Sequence, residues 1–336
     1  MDMETLALWG GFIAGLAVLL LFDLLVVHRK EHVVRVREAL FWSAFWIGLA
    51  LAFAGGVFVF GGSDKGTEFL TGYVIEKSLS VDNIFIFLVI FQYFAVPPAY
   101  QPKVLHWGIL GALVMRLAFI LIGAALLDAF HWMIFVFGGI LLLTAGRLAF
   151  QKEHEVHPEK NPLIRLLRRM VPMTERYDHG HFFVRSNGVL MATPLLAVLL
   201  MVESTDLIFA IDSIPAIFAV TRDPFIVFTS NAFAILGLRA LYFALAGVMV
   251  YFTFLRQGLV AILAFVGVKM ILSEWYKIPT PASLGVVAGI LIIAILASVI
   301  WGKKEDEDED EPGHEIAHEP LIAGHPQPAP DEATMP

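Results

Sequence analysis

Glu76-Lys77-Ser78-Leu79-Ser80-Val81-Asp82-Asn83, running on into IFIFLVIF, puts carboxylates into a segment otherwise apolar enough to cross a membrane. A second stretch repeats it: Glu203-Ser204-Thr205-Asp206-Leu207-Ile208-Phe209-Ala210-Ile211-Asp212-Ser213, running on into IPAIFAV. Aligning Asp82 with Asp212 also aligns Glu76 with Asp206 and Asn83 with Ser213. An Asp at mid-membrane costs about 3 kcal/mol on insertion scales, and such residues mark ion paths or binding sites. The doubled arrangement points to a two-fold transporter site.

The surrounding chain supports a membrane setting. Hydrophobic residues make up 58% of it and charged residues 16%, outside the range of soluble domains. The apolar residues lie in runs of about 20, the length that crosses a bilayer. Much of the net charge of -8 comes from one C-terminal run, Glu305 to Glu311. There is no basic face to suggest nucleic acid. Cysteine is absent, which removes disulfides, thiolate metal sites and thiol redox chemistry.

The fold class expected is all-α and polytopic, with about nine transmembrane helices near 5–27, 39–60, 70–93, 104–127, 131–150, 188–219, 225–252, 257–274 and 281–301. The corresponding organisation is a two-helix region (1–69), a three-helix repeat (70–150), a basic loop (151–187), a second repeat (188–280), a last helix (281–302) and a disordered acidic tail (303–336). The loop carries the basic amphipathic stretch LIRLLRRM and the histidines His154, His157, His179 and His181, read as solvated. Asp2 and Glu4 precede the first apolar run, and Arg29, Lys30, Arg35 and Arg37 follow it. That order is opposite to a signal peptide. With the N-terminus outside, basic residues concentrate in the cytoplasmic loops and the tail is cytoplasmic. A three-helix repeat then places the second unit upside down relative to the first, with a site near the midplane where the units meet.

On an ideal helix Glu76, Ser80 and Asn83 share one face, as do Asp206, Ala210 and Ser213. Asp82 and Asp212 point away from it. Either they line a second surface, or the helices are broken, which Pro215 favours in the second repeat. Glu76, Asp82, Asn83, Glu203, Asp206, Asp212 and Ser213 offer oxygens of the kind hard divalent cations take. No His or Cys lies in these helices, which favours manganese, magnesium or calcium over zinc and copper. Arg116, Arg239 and Lys269 are candidate counter-ions to the five carboxylates, and three such pairs leave charge for one divalent cation. A proton on one carboxylate is the alternative, coupling ion release to proton uptake. Asp23, at a helix end beside a basic loop, reads equally as a cap or as a ligand. The plain structural alternative is that the acids pair with Arg116 and Arg239 to hold helices together.

SLSVDN, VESTDLIFAIDSIPAIFAVTRDP and TSNAFAILGLRALYF closely resemble the TerC family of membrane proteins, including its Alx-type members, over roughly residues 20–300. The family takes its name from tellurium resistance. The resemblance implies an inverted-repeat fold akin to the LysE transporter superfamily and export of manganese from the bacterial cytoplasm across the inner membrane, with no permanently bound cofactor. It also implies Glu76, Asp82, Asn83, Glu203, Asp206, Asp212 and Ser213 as the site, with Asn231 nearby. An enzyme reading, an intramembrane aspartyl protease built on two Asp residues, lacks a GxGD segment. A redox role lacks cysteine and any haem or flavin motif. A third reading is a membrane anchor of a metal- or tellurite-stress assembly, with the basic loop and tail docking protein partners.

Overall fold

The computed structural model describes residues 3–23, 34–150, 161–174, 176–178, 180–186, 189–246 and 254–301. The tail, the start of the basic loop, His154, His157 and His179, and the ends expected for the first and seventh helices lie outside the described residues. Within them run α1 (Met3–Phe22), α2 (Val36–Tyr93), α3 (Gln101–Ala129), α4 (Met133–Phe150), α5 (Pro162–Met170), β1 (Phe183–Ser186), β2 (Val189–Ala192), α6 (Pro194–Phe218), α7 (Pro224–Leu236), α8 (Leu238–Ala246), α9 (Leu255–Leu272) and α10 (Thr280–Trp301). Among the described residues eight helices are long and apolar enough to cross a membrane, α7 and α8 counting as one across Gly237. They are apolar around most of their circumference, as a lipid-embedded helix must be.

The 58-residue α2 is a hairpin rather than one rod. At about 1.5 Å per residue, Phe53 and Phe69 would stand about 24 Å apart along a straight helix. Their rings are instead 5.2 Å apart, and Phe58 lies against Gly66. The reversal falls at Gly62, whose φ of 89° lies in the left-handed region that only glycine enters freely. The two spans expected at 39–60 and 70–93 are therefore the arms of one element. Its helical pattern runs almost to the turn, where a nine-residue loop was expected.

Two further expectations need correction. The helix expected from residue 188 begins at Pro194, because 189–192 pair with 183–186 in an antiparallel hairpin. Thr193 ends the strand, its hydroxyl donating to the His181 carbonyl (2.6 Å), and Pro194 takes the first helical turn, where its missing N–H costs nothing. Second, α6 runs without a break through Pro215. Proline removes one donor, but here it lies in the last turn, where the Pro215 carbonyl still accepts from Ala219 N (3.1 Å).

The packing is reciprocal between the halves. α4 and α9 make the most extensive contact, and α2 on α7 is matched by α3 on α6. α4 and α9 run antiparallel. His131 at the start of α4 meets Glu274 just past the end of α9 (2.7 Å), and Arg256 near the start of α9 donates to the Leu148 carbonyl near the end of α4 (2.9 Å). They cross at two glycines. A Cβ on Gly138 would lie 3.2 Å from the Gly267 carbonyl oxygen, and one on Gly267 would lie 3.1 Å from that of Gly138.

The described residues after α4 dock on the helices. α5 is capped by Asn161, whose Oδ1 accepts from Leu163 N (2.9 Å) and Ile164 N (3.4 Å). The Asn161 amide donates to Ser204 Oγ on α6 (2.7 Å). Tyr177 Oη donates to the Phe94 carbonyl at the end of α2 (2.7 Å). Burial pushes this hydroxyl up to about 12, so it remains a donor at neutral pH.

Candidate functional site

The shared helical faces expected for the two repeats are present. Glu76, Ser80 and Asn83 are buried along the second arm of α2, and Asp206, Ala210 and Ser213 along α6. Glycine and small residues let the helices approach. At Gly72 an added Cβ would lie 2.8 Å from Ser230 Oγ of α7, so the acidic arm of α2 lies close against the helix that carries Asn231.

Arg116 of α3 fills the centre of this space. Its side chain is 1% exposed. It donates to Glu76 Oε1, to Asp206 through Nε (3.3 Å) and Nη2 (3.0 Å), to Ser213 Oγ (3.2 Å) and to Asn231 Oδ1 (2.7 Å). One guanidinium thus ties α3 to α2, α6 and α7. Asn231 is oriented by its own amide, which donates to the Val227 carbonyl (3.1 Å). The two carboxylates are the repeat-equivalent pair, and each is almost fully desolvated. The cluster carries two negative charges against one positive when its acids are ionised. Glu76 Oε2 and, one turn along, Ser80 Oγ are buried without a hydrogen-bond partner. Buried polar atoms seldom remain so unless a water, an ion or a moving partner completes them.

The other candidates do not join this centre. Asp212 faces α4, accepting from Thr144 Oγ1 (2.7 Å), with Arg147 within electrostatic reach. Asp82 faces α9, where it borders a cavity of about 10 Å³ together with Ser78 and Arg256. Both therefore line a second surface of unbroken helices. Glu203 turns toward α3, and its carboxylate occupies the space that a side chain at Gly111 would need. Among the described residues no group of three or more Asp, Glu, His or Cys side chains is placed to hold a metal ion. The seven expected ligands are thus spread over a centre and three flanks.

A second buried charge cluster joins both repeats to the end of α1. Arg239 of α8 donates through Nη2 to Asp23 Oδ1, one residue past α1. Asp23 Oδ2 also lies 3.6 Å from His106 Nδ1 of α3. Between the clusters is a cavity of about 10 Å³ bordered by both Asp206 and Arg239, a volume about that of one water. Arg239 therefore meets Asp23 and not the repeat acids. Lys269, the third expected counter-ion, is buried on α9 within electrostatic reach of Glu68. The sequence reading missed His106 and Thr144. His106 had a usable signal, as a polar residue in the apolar run KVLHWGIL level with Asp23. Thr144 had none, since threonine is at home in any membrane helix.

The sequence comparisons agree with this architecture. The chain matches the integral membrane protein TerC family over residues 61–307. It is 54% identical over 293 residues to "Uncharacterized membrane protein STKORF319" of Myxococcus xanthus, covering 87% of this chain and 92% of that one. It is 48% identical over 312 residues to "Putative membrane-bound redox modulator Alx" of Salmonella typhi, covering 90% and 97%. To "Thylakoid membrane protein TERC, chloroplastic" of Arabidopsis thaliana it is 44% identical over 257 residues, covering 76% and 67%. No solved structure matches. The family match covers both acidic helices and the arginine between them, and with relatives this close over most of their length, the chain belongs to the TerC family of multi-pass integral membrane proteins.

Proposed function

We propose that this chain is a transporter that exports a divalent cation, with manganese as the leading ion, from the bacterial cytoplasm by alternating access. The observation that carries the reading is the meeting of Glu76 and Asp206, equivalent residues of the two repeats, at one buried arginine, with a Glu76 oxygen left unsatisfied. Most buried polar atoms that only brace helices have a partner, so the open Glu76 oxygen favours a ligand role.

Arg116 stands where a cation would sit. Its guanidinium offsets one of the two negative charges while the site is empty, and a hydrated divalent cation replaces it by offering more charge to the same oxygens. Asn83, Ser213 and Asn231 add neutral oxygens of the kind manganese and calcium accept. Asp82, Glu203 and Asp212 flank the centre and pass the ion toward and away from it. Among the described residues this conformation holds no complete cage. Alternating access calls for at least two arrangements, and the ligand bound better by one draws the population toward it. The positive-inside rule puts the N-terminus outside and Asp23 and His106 at the cytoplasmic side. Proton uptake by a vacated carboxylate is the proposed return step. The redox activity in the name of the Alx relatives would need a carrier other than a thiol here, because the chain has no cysteine.

Manganese uptake into inside-out vesicles tests the reading. The native chain is expected to accumulate the ion, and Asp206→Asn, Asp82→Asn and Asp212→Asn to abolish uptake while still inserting. Normal flux in Asp206→Asn would sink the central site, and no flux by the native chain with any divalent ion would sink the transporter.

A second reading, a docking platform for protein partners, is favoured by α5. This helix leaves Leu163, Leu166 and Met170 exposed beside exposed Arg165 and Arg169. It predicts that removing α5 destroys function while the intramembrane acids are dispensable.

A further inference from the structure

We propose that Asp23, Arg239 and His106 form the inner gate of the ion path, and that α1 is its moving part. This rests on the transporter reading and assigns a step that the acidic helices do not supply.

The path is continuous on the page. His106 is 12% exposed and touches Asp23; Asp23 holds Arg239; Arg239 borders the small cavity whose other wall is Asp206. From the rim of the bundle to its centre the polar groups follow one another, and the remaining cavity walls, among them Leu105, Ile109 and Ala112, are apolar. Water or a hydrated cation reaching Asp206 from this side meets the Asp23–Arg239 pair first.

The pair is built to part. Arg116 uses all three guanidinium nitrogens, but Arg239 leaves Nη1 buried and without a partner. An unpaired buried charge is strongly unfavourable, so when Asp23 leaves, Arg239 has two ways to be compensated. It can be hydrated through the cavity, or it can turn to Asp206. Both open the centre, the first by admitting water and the second by drawing Asp206 from Arg116. Gate and ion site are thereby coupled through one side chain.

α1 is attached in a manner that permits this. Near its N-terminal end Trp9 and Phe12 pack on Phe225 and Phe228 at centroid distances of 5.4–5.9 Å. At its other end it is held through Asp23 and through Phe22, whose ring packs on Trp42 and Phe45 of α2 (6.2 Å each). Between the two lies an apolar groove of about 990 Å³, where Gly11 and Gly15 of α1 face Ala52 and Gly56 of α2. The Trp9 and Phe12 contacts supply a pivot, the charge pair a polar latch at the Phe22 end, and the groove the room to swing. Lipid filling the groove would follow such a motion without breaking any polar contact.

The natural absence of cysteine makes the test direct. Ala112→Cys puts a thiol in the cavity wall, and its reaction with a membrane-impermeant thiol reagent is followed in inside-out and right-side-out vesicles. Labelling is expected from the cytoplasmic side alone, and Asp23→Asn should speed it about tenfold. The charge-swapped pair Asp23→Arg with Arg239→Asp should return it toward the native rate. Ala145→Cys, buried in α4 away from the gate, serves as the control. If Asp23→Asn leaves the Ala112→Cys rate unchanged, or labelling comes from the outer side, there is no gate here. If Ala145→Cys gains the same reactivity, the pair merely holds the fold together, and the gate is equally overturned. None of these readings uses metal: a gate without flux of any divalent ion would reject the transporter, whereas flux without a gate would reject only this inference.

Discussion

Arg116 and Arg239 are both buried arginines in one helical bundle, and they are held in opposite ways. Arg116 makes five hydrogen bonds to four side chains on three other helices. Arg239 meets one carboxylate, at the end of the least enclosed helix, and keeps one nitrogen bare. A guanidinium satisfied on every side fixes the elements around it. One satisfied on a single side records where an element can detach. Burial alone would have given the two residues the same role, and the count of partners separates them.

That contrast is broken most severely at its stronger member. Arg116→Leu leaves Glu76 and Asp206 facing each other without a counter-charge, which should cost about 3–5 kcal/mol. The expected result is a chain that inserts poorly or loses its thermal transition in detergent, with partial recovery when Glu76→Gln and Asp206→Asn are added. Arg239→Leu strands one carboxylate at the edge of the bundle and should cost about 2 kcal/mol, seen as a lower melting temperature of protein that still purifies intact. Equal losses in the two variants would erase the distinction between lock and latch.

The pairing of the halves supplies milder tests. Gly267→Ala pushes a methyl group against the Gly138 carbonyl and should destabilise by about 1–3 kcal/mol, with Gly138→Ala costing a similar amount because the approach is mutual. Thr144→Val removes the hydroxyl that holds Asp212 and should cost about 1 kcal/mol. On the transporter reading its useful readout is the apparent affinity for the divalent ion, since the carboxylate is freed rather than removed. At the far end of the scale, Lys65→Ala breaks the exposed contact with Asp223 (3.0 Å) and should change thermal stability by less than about 1 kcal/mol. A larger loss there would mean that the surface charges bear structure that the buried ones do not.

The sequence carried the outline of the site because charge in an apolar helix has few explanations. Glu76 and Asp206 stood out by repetition, and the 3.6-residue period assigned them to the same inner face as Asn83 and Ser213. The same period set Asp82 and Asp212 aside, and each meets a different helix. The distribution of counter-ions was out of reach, because nothing in local spacing tells which of two arginines reaches Asp23 across more than two hundred residues. The hairpin before α6 is legible in the sequence. Asn187-Gly188 between FFVRS and VLMAT is a strong short-range turn signal, and the apolar strand after it was absorbed into the following helix. The reversal in α2 was read as a loop for a related reason. Gly61-Gly62-Ser63 signals a turn but does not say how close to it the hydrogen-bonded helix can run.

The glycine crossing of α4 and α9 has a consequence for how such a chain could arise. Gly138 faces Gly267 as Gly267 faces Gly138, so the surface there is complementary to its own image. A single three-helix polypeptide inserted in both directions would have met itself at this spot, and every substitution would have been felt twice over. Fusion into one chain halves that burden and lets the partners drift apart. The two arginines differ in the same sense: one half supplies the central guanidinium, while the arginine of the other meets Asp23 just past α1.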